Sequence, residues 1–201
     1  AVFQLARECK LKRVVYISSM SVYQISGQKS GCHISESANL EQDPEARGLY
    51  TWSKLEAEKI ARMALEKKNE VPTVILRPAT VFGPGGPIFS PLIGITIFDK
   101  IFAMLGKTRM KLPFVYIDNL VDAIIISLEN RNAIGNIYNV IDDDKISKKE
   151  YVKMLQKEVF PQSFLIGLPY WFVYSMIMVQ EKAFKMVRRT PILTRYRLSS
   201  S

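Results

Sequence analysis

Ser19, Tyr50 and Lys54 are the residues whose types and spacing suit chemistry at a carbon–oxygen bond. Tyr50 and Lys54 stand four apart in Tyr50-Thr51-Trp52-Ser53-Lys54. On a helix that spacing puts a phenol and an ammonium one turn apart on the same face. A free phenol titrates near ~10 and is a poor base at neutral pH. A neighbouring ammonium favours the phenolate, so such a pair suits proton transfer at a hydroxyl or carbonyl. Ser19 follows a short apolar run, Val14-Val15-Tyr16-Ile17, that reads as a buried parallel strand. Open α/β sheets bind ligands at the carboxyl ends of their strands, where Ser19 can hydrogen-bond the same substrate oxygen. Taken alone, a Tyr and a Lys four apart also describe an ordinary solvated helix face.

The elements that must hold these groups follow from apolar spacing. Val2, Phe3, Leu5, Ala6 and Cys9 space out a helix over residues 1–10. Residues 24–48 are polar and read as a loop. A long helix runs from Tyr50 to near Asn69, with Leu55, Ala57, Ile60, Ala61, Ala64 and Leu65 on its buried side. Pro72 breaks the chain before a buried strand, Thr73-Val74-Ile75-Leu76, closed by Arg77-Pro78. Residues 83–87 form a loop, and the apolar stretch 91–105 predicts a helix. Phe114-Val115-Tyr116-Ile117 reads as a short strand, and Asp118 as the cap of a helix through Leu128. Gly135-Asn136 turns into a strand at Ile137–Val140. Ser147, with Glu150 three residues on, predicts a capping box. Helices alternating with strands argue for an α/β fold with a parallel sheet. The apolar segment Phe164 to Val179, closed by Gln180-Glu181-Lys182, falls short of the ~20 residues of a membrane-spanning helix. It reads as a buried helix of a small lobe. A second reading is a helix lying in a membrane interface, with Tyr170, Trp171, Phe172 and Tyr174 beside Lys182, Lys185, Arg188 and Arg189.

The chain has 201 residues, 48% hydrophobic and 23% charged, which excludes a disordered tail, a collagen-like repeat or a coiled coil. A net charge of +9 favours anionic partners such as phosphorylated cofactors or acidic lipid. No motif supports nucleic acid, and Lys67 and Lys68 alternate with Glu66 and Glu70 as on a solvated helix face. Cys9 and Cys32 cannot build a disulfide scaffold, so a reducing, cytoplasmic setting is the natural reading. The single His33 removes a multi-histidine zinc site, and no metal site is expected. Asp142-Asp143-Asp144 reads as a solvated turn. Ser26-Gly27-Gln28-Lys29 has a Ser-x-x-Lys pattern too short to carry acyl chemistry. Met176, Met178 and Met186 read as packing of the lobe. The opening Ala1-Val2-Phe3-Gln4 resembles the middle of an amphipathic helix, so a fragment is expected.

Several segments gain meaning together. Val14 through Tyr23 couples a strand to a Ser-rich turn, and Tyr50 through Lys54 is followed by Glu58. Leu76-Arg77-Pro78-Ala79-Thr80-Val81-Phe82-Gly83-Pro84-Gly85 ends a second strand. Phe114-Val115-Tyr116-Ile117-Asp118-Asn119-Leu120-Val121-Asp122-Ala123 opens a late helix, and Tyr138-Asn139-Val140 follows. In this order they resemble the extended short-chain dehydrogenase/reductases, also called NAD-dependent epimerase/dehydratases. The resemblance runs from residue 1 to near residue 160.

That resemblance implies the C-terminal part of a Rossmann-like parallel sheet with a small, mostly helical substrate lobe. The cofactor-binding domain would take residues 1–83 and 114–145, and the lobe 84–113 and 146–201. It implies NAD or NADP as cofactor, Tyr50 as general acid/base, Ser19 as catalytic serine, and Lys54 as the ribose ligand that tunes Tyr50. Ser18, Pro78 and Val81 would line the nicotinamide. Ser21, Thr80 and Asn119 would face the substrate. Asn119 departs from the family's commoner Asp and leans toward the sterol and 3β-hydroxysteroid dehydrogenase branch, as do the apolar lobe and Pro191 through Tyr196. Nucleotide-sugar epimerases or dehydratases are the other branch. The family's Gly-rich phosphate loop is absent from these 201 residues, and the Gly83–Gly86 cluster is no substitute, because it follows a late strand and carries prolines. This absence predicts inactivity for the chain alone. The resemblance also implies a homodimer through the Tyr-Lys helix. Competing classes are a non-catalytic dinucleotide-binding module and a membrane-surface module acting through residues 164–189.

Overall fold

The computed structural model describes residues 2–25, 27, 33–66, 71–86, 93–97, 101–105, 111–144, 146–186, 194 and 196. In chain order its elements begin α1 (Val2–Glu8), β1 (Val14–Ile17), α2 (Pro44–Arg47), α3 (Leu49–Glu66), β2 (Thr73–Pro78) and β3 (Thr80–Phe82). They continue β4 (Gly94–Ile97), β5 (Ile101–Leu105), β6 (Phe114–Tyr116), α4 (Ile117–Glu129), β7 (Ile137–Val140), α5 (Lys148–Glu158), β8 (Phe164–Leu168) and α6 (Tyr170–Met186). Two compact units result. One comprises Ala1–Gln24, His33–Gly85 and Pro113–Asp143, the other Ile25–Cys32, Gly86–Leu112 and Asp144–Ser201.

The first unit is built on a parallel sheet of order β1-β2-β7. Val14 pairs with Thr73, and Ile75 with Ile137. A parallel pair needs a crossover, which α3 supplies between β1 and β2. Every residue of β2 is buried, and alternate residues face opposite sides. Val74 and Leu76 pack with Ala133, Val15, Ile17 and Val140, and with Ala123 and Ile124 of α4. The opposite face carries Arg77 toward α3. A second parallel pair, β3 with β6, follows directly, and the Ala79 amide ties it to the Val140 carbonyl of β7. Arg13 donates to the carbonyls of Ser127 and Asn130 at 2.7 and 2.9 Å, capping the C-terminal end of α4.

Several local expectations need correction. The polar stretch 24–48 contains the short helix α2, because Asp43 accepts from the Ala46 amide at 3.2 Å and Pro44 suits a first helical turn. The buried stripe of α3 is Thr51, Leu55, Glu58 and Ala61. Ile60 is exposed and Ala57 only half-buried, because the polar pairing of Glu58 turns the helix to a different phase. Ile117 begins α4 instead of ending a strand, so Asp118 falls inside the first turn and is not the cap. Asp142 does more than border a solvated turn: its carboxylate accepts from the Tyr116 amide and from Asn119, both at 2.9 Å.

In the second unit the described parts of the stretch 91–105, residues 93–97 and 101–105, are not helical. β4 and β5 form an antiparallel pair, and β8 joins β5 in parallel. Short apolar runs rich in Ile and Phe suit strand and helix periodicities alike, so length and β-branching decide for strand. The segment from Phe164 is likewise divided. Pro169 holds the preceding residue extended and starts a new helix, giving β8 then α6, which passes Lys182 to end at Met186. Only a narrow stripe of α6 is buried, Val173 and Ile177 against Leu168. Met176 and Met186 are exposed, because helical phase turns them off that stripe. Ser147 and Glu150 form the full capping box at the start of α5. No helix among the described residues is long and apolar enough to cross a membrane. Cys32, Lys67, Lys68, Glu70, Arg188, Arg189 and most of 26–29 and 191–196 lie outside the described residues.

Candidate active site

The candidate residues lie on the parallel strands of the first unit, on the turns that follow them and on α3. Ser18 and Ser19 follow β1, Pro78 ends β2, Thr80 and Val81 lie on β3, and Asn119 sits in the first turn of α4 after β6. Ser18 continues the β1–β2 ladder, its amide donating to the Leu76 carbonyl at 2.7 Å. Ser19 is extended and caps a single 3-10 turn, Met20–Val22. Its hydroxyl oxygen accepts from the Ser21 amide at 3.1 Å. A serine hydroxyl has one proton and two acceptor sites, so the Ser19 O–H remains able to donate. The Ser21 Oγ is buried without a partner among the described residues.

Lys54 reaches the same place from the helix. Its Nζ donates to the Ile17 carbonyl at 3.1 Å, at the end of β1 and two residues before Ser19. An ammonium carries three donors, and two remain. Tyr50 stands one helical turn earlier at 61% exposed, and its phenol makes no hydrogen bond among the described residues. Gly48 immediately precedes α3 with φ of 116°, a conformation open to glycine, which lets the chain turn from α2 directly into the helix that carries Tyr50. Arg47 pins that junction, donating to the Tyr23 carbonyl at 2.6 Å and to Glu41 at 3.2 Å. Gly83 permits close approach at the other wall, since a Cβ there would lie 2.5 Å from the Ile117 Cγ2.

Beneath this surface lies a charged network that the sequence reading left without a role. Glu58, on α3 one turn beyond Lys54, is 1% exposed. Its carboxylate accepts from the Ser18 hydroxyl at 2.5 Å, Arg77 Nη2 at 2.5 Å, Arg77 Nε at 3.1 Å and Arg62 Nε at 3.1 Å. Burial alone would raise its pKa. The hydrogen bonds from Arg77 and Ser18, with the charge of Arg77 and the bond from Arg62, outweigh that and hold the carboxyl below its usual range. Arg77 is fully buried and donates its remaining Nη1 to the Tyr23 hydroxyl at 2.6 Å and the Glu36 carbonyl at 3.0 Å. The Tyr23 hydroxyl in turn donates a hydrogen bond to Asn139 Oδ1 at 2.7 Å. The phenol of Tyr16 is pushed up, first by burial, then by electrostatic interaction with the Glu58 carboxylate and with Tyr50. The signal was legible in one respect: an arginine inside a run of buried strand residues must have a partner, and Glu58 shares a helix face with Lys54.

Of the sequence candidates, Ser19 follows the end of β1, and Lys54 bonds the Ile17 carbonyl two residues before it. Ser18 is buried with its hydroxyl committed to Glu58, Pro78 is buried, and Thr80 is half-buried. Val81 is exposed on β3, and Asn119 is exposed and held by Asp142. Arranged this way, the end of β1 offers a hydroxyl proton and ammonium donors that are uncommitted among the described residues, which suit a polar ligand with hydroxyl or carbonyl oxygens.

The family model of the NAD dependent epimerase/dehydratase family matches residues 1–140. UDP-glucose 4-epimerase of Vibrio cholerae is 30% identical over 162 residues, covering 80% of this chain and 48% of that protein. Short-chain dehydrogenase/reductase family 42E member 1 of Homo sapiens is 31% identical over 134 residues, covering 61% of this chain and 34% of that protein. The chain thus spans half or less of the length of these relatives. Among solved structures, UDP-glucuronic acid 4-epimerase from Bacillus cereus in complex with NAD is similar with a TM-score of 0.64 and 26% identity, covering 99% of this chain and 61% of that one.

Proposed function

The chain belongs to the NAD dependent epimerase/dehydratase family, and from that membership we propose that it forms the nicotinamide side of an enzyme that oxidises and reduces a carbon–oxygen bond of a small hydroxylated substrate. The observation that carries this reading is the bond from Lys54 Nζ to the Ile17 carbonyl at the carboxyl end of β1, two residues before Ser19, with Tyr50 one turn before Lys54 on α3. The two spare donors of Lys54 fit the hydroxyl-rich half of a dinucleotide. NAD, when bound, supplies the hydride acceptor. Lys54 holds the ribose hydroxyls with its remaining donors. Ser18 through its backbone, Pro78 and Val81 line the nicotinamide. The Ser19 O–H donates to the substrate oxygen and stabilises charge developing there. The Tyr50 side-chain oxygen, exposed and without a hydrogen bond among the described residues, takes the substrate proton when deprotonated and returns it when protonated. Ser21, Thr80 and Asn119 face the substrate.

The names of the relatives support nucleotide sugars as the substrate class. A second reading, a lipid-like substrate or surface, is favoured by Tyr170, Trp171 and Phe172 exposed on α6. Leu49, Trp52, Ile60 and Met63 leave an apolar outer face on α3, which supports a homodimer. The test incubates the whole protein with NAD and separate panels of UDP- and dTDP-sugars and hydroxysteroids, and follows product and reduced-nicotinamide absorbance. Turnover of a nucleotide sugar is expected. Turnover confined to steroids moves the reading to the second class, and turnover of neither panel removes it. In parallel, NADH fluorescence is expected to report weaker binding to the 201-residue chain than to the whole protein, because these residues hold no Gly-rich phosphate loop.

A further inference from the structure

We propose that Glu58 is a positioning residue for the reaction, acting through the Ser18 hydroxyl and Arg77 to align the three segments that carry the site. This rests on the catalytic reading of Ser19, Tyr50 and Lys54. A carboxylate has room for about four hydrogen bonds. Glu58 fills them with Ser18, both Arg77 nitrogens and Arg62. Each buried partner adjoins a site residue. Ser18 directly precedes Ser19, Arg77 directly precedes Pro78, and Glu58 itself lies one turn beyond Lys54 on α3. Ser18, Glu58 and Arg77 are all buried at 2% exposure or less, so water does not compete for these bonds.

Geometry explains why an ion pair, and not an apolar contact, stands here. Apolar packing holds elements together without fixing their angle. Charge-assisted bonds to one carboxylate fix the distance and direction of each donor. The amide of Ser18 is already held in the sheet by Leu76, so its hydroxyl bond sets the orientation from which Ser19 departs. Arg77 carries the constraint onward through Tyr23 to Asn139 and to the Glu36 carbonyl. The turn after β1, the helix α3 and the end of β2 are thereby referred to a single carboxylate.

The test compares Ser18→Ala and Glu58→Gln, singly and together, in the whole enzyme, at a temperature where near-ultraviolet circular dichroism reports each variant folded. Ser18→Ala removes one hydroxyl and leaves the ion pair intact, so it remains informative if Glu58→Gln does not fold. Each single variant is expected to lower kcat about tenfold or more, with KM for NAD changed much less. The double variant is expected to lose less than the product of the two, because both break one link. Active-site titration normalises kcat to folded molecules, which a role in stability alone would leave unchanged. Parent-like kcat in Ser18→Ala overturns the proposal, as does a double variant whose losses multiply. Tyr50→Phe in the same assay separates the two failures. If it turns over normally, the catalytic reading itself is wrong. If it is inactive while Ser18→Ala turns over at the parent rate, only the positioning role falls.

Discussion

The two faces of β2 present two kinds of interior. On one, Val74 and Leu76 meet Ala133, Ala123 and Ile124 in a wholly apolar layer under α4. On the other, one residue further along, Arg77 meets Glu58, Ser18 and Tyr23 in a layer of charges and hydroxyls under α3. Both are buried, and they stabilise differently. The apolar layer contributes through area removed from water and tolerates small shifts. The charged layer loses much of its attraction to desolvation, and what it keeps is directional. The candidate site stands over the charged layer.

Breaking the ion pair from one side tests this contrast most severely. Arg77→Met leaves the Glu58 carboxylate buried without its main counter-charge, and urea unfolding is expected to show a loss of about 3–5 kcal/mol. Adding Glu58→Leu to that variant is expected to recover most of the loss, since a well-packed apolar pair can replace a buried ion pair. A double variant no more stable than Arg77→Met would show that the pair is not the origin of the cost. Leu76→Ala, on the other face, is expected to cost about 2–5 kcal/mol through the cavity it leaves. No partner substitution is expected to rescue it, and turnover per folded molecule should stay at the parent level. A fall in kcat for Leu76→Ala would erase the distinction between the faces.

What the sequence disclosed follows the same division. The apolar face was readable, because Val14–Ile17 and Thr73–Leu76 are runs whose burial needs no knowledge of a partner. That Tyr50 and Lys54 share one helix was readable because their spacing is local. The partnership of Glu58 with Arg77 and Ser18 was not, since it joins positions 19 and 40 residues apart and only tertiary packing brings them together. The same limit explains the stretch 91–105. Ile101–Leu105 pairs with Gly94–Ile97 on one side and with Phe164–Leu168 on the other, and the second pairing leaves no local mark. Asp118 failed as a cap for a related reason: the carboxylate serving the start of α4 comes from Asp142, beyond β7.

Acid sharpens the comparison with a smaller effect. The Glu58 carboxyl lies below its usual range in the folded chain, against about 4.3 when unfolded. Its contribution is therefore fully present above the unfolded value and is lost as pH falls through the folded one. Tm is expected to drop on going from about pH 5 to pH 3, and to drop less in Glu58→Leu with Arg77→Met. Equal acid slopes in parent and double variant would assign the effect to other carboxylates.

The central claim is that Tyr50 moves the substrate proton beside Lys54 and Ser19. Its most direct test is steady-state turnover of Tyr50→Phe in the whole protein, with NAD binding and thermal unfolding measured alongside. Because the residue is 61% exposed and its phenol bonds nothing among the described residues, Tm and NAD affinity should stay close to the parent. Turnover should fall by about 10²–10⁴-fold. A variant that turns over at the parent rate would contradict the account.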